Sequence, residues 1–147
     1  LQTRASIQAV ADAAGIGQHL RFIGVITDPQ ELACAYESAT LHIFPVRQPP
    51  GDPQGFGMVA IDAAAHGLPI VAFATGGIVD AVAEGQSGHL VAPNDSPALA
   101  QAALQMLADV PGAWQTRTSA FAAQFAWPVL GQKLWHMLAK DTNSLDY

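Results

Sequence analysis

The sequence predicts an α/β fold whose parallel sheet of four strands is flanked by helices on both faces. Three observations carry this. Four short Val/Ile-rich apolar runs are each separated from the next by a stretch of helical periodicity. Gly, Pro, Asp and Asn punctuate the joins between them. And half of the 147 residues are apolar, which lets one domain of this length bury a core on both sides of a sheet.

In chain order, Ile7, Val10, Ala11 and Ala14 recur at helical spacing from about Thr3, and Gly15 and Gly17 end that surface helix. Residues 20–25, LRFIGV, read as the first strand. Asp28 supplies a capping side chain and Pro29 suits a first helical turn, so a helix is expected to about Ser38, with Leu32, Ala35 and Tyr36 inward. Leu41 to Phe44 is the second strand. The next ten residues, Pro45 to Gln54, hold four prolines and one glycine, too much proline for a regular element and long for a connection in a compact domain.

A helix is expected from about Gly57 to His66, then a strand from Ile70 to Ala74. The turn Thr75-Gly76-Gly77 leads into a short helix ending near Glu84. Gly85 to Gly88 turn the chain into a last strand, His89 to Ala92. Asp95-Ser96-Pro97 caps a helix from Pro97 to Asp109, and closing helices follow over Ala113 to Gln124 and Pro128 to Lys140. Right-handed crossovers are expected throughout, and in such parallel sheets the loops after Phe44 and after Ala74 both leave from the carboxyl edge, where ligands bind.

Composition narrows the ligand. Six Lys plus Arg against twelve Asp plus Glu leave a formal charge of −6 and no basic run, which argues against nucleic acid and anionic membrane surfaces as partners. The single Cys34 permits no internal disulfide, reads as a buried thiol on a helical core pattern, and fits a reducing cytoplasm. No Cys/His spacing of a zinc site occurs, and the five histidines are scattered packing or surface residues. Neither a signal peptide nor a spanning helix is expected. The chain begins at Leu1 without an initiator methionine and reads as a fragment of a longer protein.

The chemistry concentrates between Asp52 and Gly77. Gly55-Phe56-Gly57 stands directly before a helix, so backbone can approach a ligand unhindered while the amides of Gly57, Met58 and Val59 face outward as an anion site. A tight loop-to-helix turn explains the same three residues. Asp62 is the only charged residue between Asp52 and Asp80; one turn after Met58, it leans back toward whatever the amides hold and suits a ribose diol. The alternative is a carboxylate at a solvent gap. Gln54 can donate to and accept from sugar hydroxyls, or be a plain loop residue. Thr75-Gly76-Gly77 either adds amides at the same edge or permits close strand-to-helix packing.

The runs RFIGVITDPQELACAYESATLHIFPV, QGFGMVAIDAAAHGLPIVAFATGGIVDAVAEGQSGHLVAPND and FAWPVLGQKLWHML resemble the carboxyl-terminal, donor-binding domain of retaining GT-B glycosyltransferases of the group 1, glycogen-synthase-like family. The resemblance covers nearly the whole chain. It implies a Rossmann-like second domain, residues 1–147, that binds a nucleotide-sugar donor. By that resemblance Gln54 touches the sugar, the backbone of Gly55, Phe56, Gly57, Met58 and Val59 holds sugar and diphosphate, Asp62 binds ribose, and the backbone of Gly24, Val25 and Ile26 lies near the base. No metal or other cofactor is implied. The acceptor, a glycan or a lipid-linked glycan, would be met through an amino-terminal domain absent from the chain, in polysaccharide assembly in the cytoplasm or at the inner face of the membrane.

Two departures stand out. The family's Glu-x7-Glu motif appears here as Gln54 and Asp62, so one charge is lost and the other has a shorter reach. The first strands of the domain, with the Arg and Lys that usually neutralise the diphosphate, are also missing, and the isolated chain is expected not to catalyse transfer. A non-catalytic nucleotide-sugar binding module and a GT-B-like nucleotide-sugar epimerase are the other readings. Trp127, Trp135 and neighbouring leucines make the last helix amphipathic, and the resemblance, in which this helix packs back across the domain junction, implies that its apolar face is partly exposed here.

Overall fold

A computed structural model describes residues 3–47, 55–109 and 112–142. The chain divides into two compact units, Leu1–Leu32 and Ala33–Tyr147.

In the first unit, α1 (Arg4–Ala13) is capped by Thr3, whose side chain accepts from the Ser6 amide. Its expected inward face is only partly realised: Ala11 is buried, while Val10 is 69% exposed. A single 3-10 turn, Gly17–His19, follows. Residues 20–25 do not form the expected strand. Strand structure needs a neighbour to pair its N–H and C=O groups, and among the described residues this run has no ladder. Gly24, at φ +75, also breaks the extended backbone, and Ile23 and Val25 are exposed. The sheet therefore has three strands among the described residues, not four.

Helix α2 (Pro29–Ser38) starts where predicted, with the Asp28 carboxylate accepting from the Gln30 amide at 2.7 Å. Leu32 and Cys34, expected inward, are exposed; Ala35 and Tyr36 are partly buried. The amphipathic pattern of α2 is weak, because polar Glu31, Glu37 and Ser38 interrupt it.

The second unit is built on three parallel strands in the order β1 (His42–Phe44), β2 (Ile70–Phe73), β3 (Gly88–Val91). Ile70 pairs with His42 on one side and Gly88 on the other. As the central strand, β2 is buried throughout, which is why its sequence reads IVAF without alternation. Its residues still point alternately to two faces. On one face Ile70 and Ala72 pack with Ala60, Ile61, Ala63 and Ala64 of α3 (Met58–Ala65), Ile78 and Ala81 of α4 (Ile78–Ala81), and Phe121 and Ala122 of α6 (Gln115–Ala122). On the other, Val71 and Phe73 pack with Leu99, Ala102, Ala103 and Met106 of α5 (Ser96–Leu107) and with Trp114. The helices on both faces agree with the α/β prediction.

Asp95 caps α5, accepting from the Ala98 amide at 2.9 Å. A 3-10 turn, Ala123–Phe125, links α6 to α7 (Trp127–Thr142), whose Trp127, Trp135 and Leu138 are exposed. Among the described residues no helix is long and apolar enough to cross a membrane.

Candidate functional site

The carboxyl ends of β1 and β2 release two loops, and these meet. The second, Ala74 to Gly77, is held by hydrogen bonds from the Thr75 amide to the Phe73 carbonyl and from the Ile78 amide to the Thr75 carbonyl. A Cβ on Gly77 would stand 2.9 Å from both the Gly55 carbonyl oxygen and the Phe56 Cα. The glycine loop before α3 therefore lies directly against the turn after β2, a contact that only glycine at 77 permits.

Gly57 caps α3 in the left-handed region, at φ +80, and contributes no capping side chain. A Cβ there would meet Ile78 and Ala81 at ordinary contact distance, so its backbone conformation rather than space selects glycine. The Ala60 amide donates to the Gly57 carbonyl at 2.8 Å. The Met58 and Val59 amides, at the first positions of the helix, have no intrahelical partner, and Met58 and Val59 are exposed. Free amides at the positive end of an eight-residue helix, on a loop that approaches closely, can hold an anion.

Asp62 lies one turn on from Met58, and both are exposed. Apart from Asp62 the helix is apolar, yet it buries only Ala60, Ile61, Ala63 and Ala64 and leaves Met58, Val59, Asp62 and Ala65 open. The carboxylate thus carries no burial cost, and it lies one turn on from the amides at the amino end of α3. It makes no hydrogen bond to a described residue. Its charge reaches Tyr36 of α2, whose phenol is raised above its ordinary value by burial first and by Asp62 second. Tyr36 in turn stacks on His66, with ring centroids 5.5 Å apart, and His66 meets Glu37 at 3.1 Å.

Gln54 lies outside the described residues. Gly55 and Phe56 are exposed at the mouth of the loop, and the Phe56 ring rests on Phe125, with centroids 5.5 Å apart. Gly24, Val25 and Ile26 belong to the first unit, in the irregular segment before α2, with Val25 90% exposed. The structure therefore brings together Gly55, Phe56, Gly57, Met58, Val59, Asp62 and the Thr75-Gly76-Gly77 turn.

Thr75 is almost fully buried, and its Oγ1 has no hydrogen-bond partner among the described residues. Tyr36 and Phe125 escaped the sequence reading as neighbours of the site; the spacing of Phe121 and Phe125, one helical turn apart, was the available signal for the latter. Among the described residues no group of three or more His, Cys, Asp and Glu side chains is placed to hold a metal ion. A cavity of about 290 Å³ lies at the opposite edge of the sheet, lined by residues that include Tyr36, His66, Pro69 and Trp114, and contains none of the predicted site residues.

The family of glycosyl transferases group 1 matches residues 2–109, and the chain belongs to it. It is 38% identical over 103 residues to D-inositol 3-phosphate glycosyltransferase of Corynebacterium urealyticum, a match covering 70% of the chain and 23% of that protein. The chain thus spans less than a third of the length of this relative. Sucrose-phosphate synthase from Thermosynechococcus elongatus has a similar structure, with TM-score 0.72 and 29% identity over 96% of the chain and 35% of the enzyme. Anabaena HepE, solved in complex with UDP, shares the fold at TM-score 0.76 and 23% identity, over 92% of the chain and 36% of HepE. The GT-B glycosyltransferase resemblance read from the sequence is borne out.

Proposed function

We propose that the chain is the donor-binding part of a retaining glycosyltransferase that uses a nucleoside-diphosphate sugar. The observation that carries this reading is the left-handed Gly57 before α3, with free amides at Met58 and Val59 and an exposed carboxylate one turn later, in a chain of the group 1 family. In this reading the amides hold the diphosphate and Asp62 accepts from the ribose diol. Gln54 contacts the donor sugar. Amides aimed at the leaving diphosphate stabilise the charge that develops as the glycosidic bond breaks, so no metal is needed. The acceptor, a glycan or a lipid-linked glycan, is held by a part of the protein outside these 147 residues. The isolated chain binds donor without turning it over.

Calorimetric titration of the chain with UDP, ADP and GDP tests the binding claim. Saturable binding of at least one is expected, and failure of all three overturns it. A second reading, a binding module without catalysis, is favoured by Gln54 standing where the family motif has a glutamate. Assay of a longer form carrying an acceptor domain, with and without Gln54→Glu, separates the two. Robust wild-type turnover excludes the binding module; a large gain on substitution favours it.

A further inference from the structure

The glycine loop has little to hold it from the solvent side. A Cβ on Gly55 would meet nothing within 4 Å, and Gly57 occupies a conformation that glycine samples freely. Gly57 stands beside Ile78 and Ala81, and ahead of it two further contacts restrain the loop among the described residues. Gly77 backs its main chain, and the Phe56 side chain reaches across to Phe125. Phe125 is anchored in its turn: its ring meets Phe121 edge-on, with centroids 5.3 Å apart, and Phe121 is part of the buried core with Ala60, Ile61 and Ile70. Three rings therefore run from the core to the loop.

We propose that Phe125 is a positioning residue for the backbone of residues 55–59. It acts through Phe56 to hold the amides in the arrangement that receives the donor phosphates, an inference that rests on the nucleotide-binding reading above. The ring lies at the joint between α6 and α7, in the turn closed by the Ala126 amide donating to the Ala123 carbonyl. The Ala126 carbonyl then accepts from the Val129 and Leu130 amides as α7 begins. The ladder thus ties the order of a ligand loop to the setting of the last helix. An aromatic pair of this geometry biases a local equilibrium by roughly twofold to tenfold.

The test compares the 147-residue chain with Phe125→Ala, Phe125→Tyr, Phe56→Ala and the double variant Phe56→Ala/Phe125→Ala. UDP, ADP and GDP affinity is measured by calorimetry and backbone order by NMR relaxation. In Phe125→Ala the order parameters of residues 55–59 are expected to fall from about 0.85 toward 0.6, with those of β2 unchanged. Affinity is expected to weaken about fivefold, Phe125→Tyr to restore both, and the double variant to bind no more weakly than either single one.

Unchanged loop order overturns the proposal, as does lost order with unchanged affinity, or additive losses in the double variant. If the wild-type chain binds none of the three nucleotides, the donor-binding reading fails, and the order parameters alone decide whether Phe125 positions the loop. Phe125→Leu, which keeps apolar bulk without the ring, serves the same comparison if Phe125→Ala does not fold.

Discussion

Gly77 backs directly onto Gly55: a Cβ on the first would stand 2.9 Å from the carbonyl oxygen of the second. Both partners in this contact are main chain, so relief requires one of the two loops to move. Gly77→Ala is therefore expected to destabilise the fold by about 1–3 kcal/mol and to displace the amides before α3. Urea denaturation and nucleotide titration check it together. Full retention of both stability and affinity would show that the loops are not locked to each other.

Asp62 makes a different kind of contribution, because its exposure frees the fold from depending on it. Asp62→Ala is expected to leave the melting temperature nearly unchanged and to weaken nucleoside diphosphate binding by about 1.5–3 kcal/mol, roughly tenfold or more. Unchanged affinity in calorimetry removes the ribose assignment. The same carboxylate is felt by Tyr36, so Asp62→Asn should let the Tyr36 phenol ionise at lower pH, followed by ultraviolet absorbance against a Tyr36→Phe control. Burial remains the larger cause and keeps the phenol above its ordinary value.

His42 on β1 gives the chain an acid sensitivity. Burial pushes its imidazole below its ordinary value, and its Nδ1 is buried without a partner among the described residues. A group whose folded pKa is depressed favours the unfolded chain once that chain takes up protons. The His42 contribution is thus complete above the unfolded value of about 6.5 and is lost as pH falls below it toward the folded value. His42→Phe should flatten this part of the stability curve. Parallel wild-type and variant curves between neutral pH and about pH 5 would refute it.

Thr75 carries a buried hydroxyl with no partner among the described residues, an arrangement that costs free energy. Thr75→Val keeps the shape and removes the orphan, and is expected to stabilise the chain by about 1 kcal/mol, a rise of roughly 2–4 °C in melting temperature. A fall in melting temperature would mean that the hydroxyl has a partner in solution.

The three strands and the helices between them were legible because each rests on a local signal: an apolar run bounded by proline or glycine, or a capping Asp such as Asp28 or Asp95. Residues 20–25 carried the same signal and formed no strand, since pairing is a property of the neighbour and not of the run. Cys34 and Leu32 fitted a helical core period, yet that period does not say whether a partner covers the face. At the site, the glycines and Asp62 stood out because they interrupt an apolar stretch. Phe125 did not, because about seventy residues of intervening chain separate it from Phe56 and only the tertiary fold brings the rings together.

Beside Ile61, the underside of α3 carries Ala60, Ala63 and Ala64, none of which has any exposure. Methyl groups of that size let the helix axis settle close to the sheet, and they leave it no slack to tilt or slide when something docks at its amino end. An incoming anion would meet a template already set in place, so complex formation should proceed with a small heat-capacity change and without the ordering penalty of coupled folding. The adaptable part of the encounter is then left to the loop ahead of Gly57, and the helix behind it serves as a fixed reference against which that loop is adjusted.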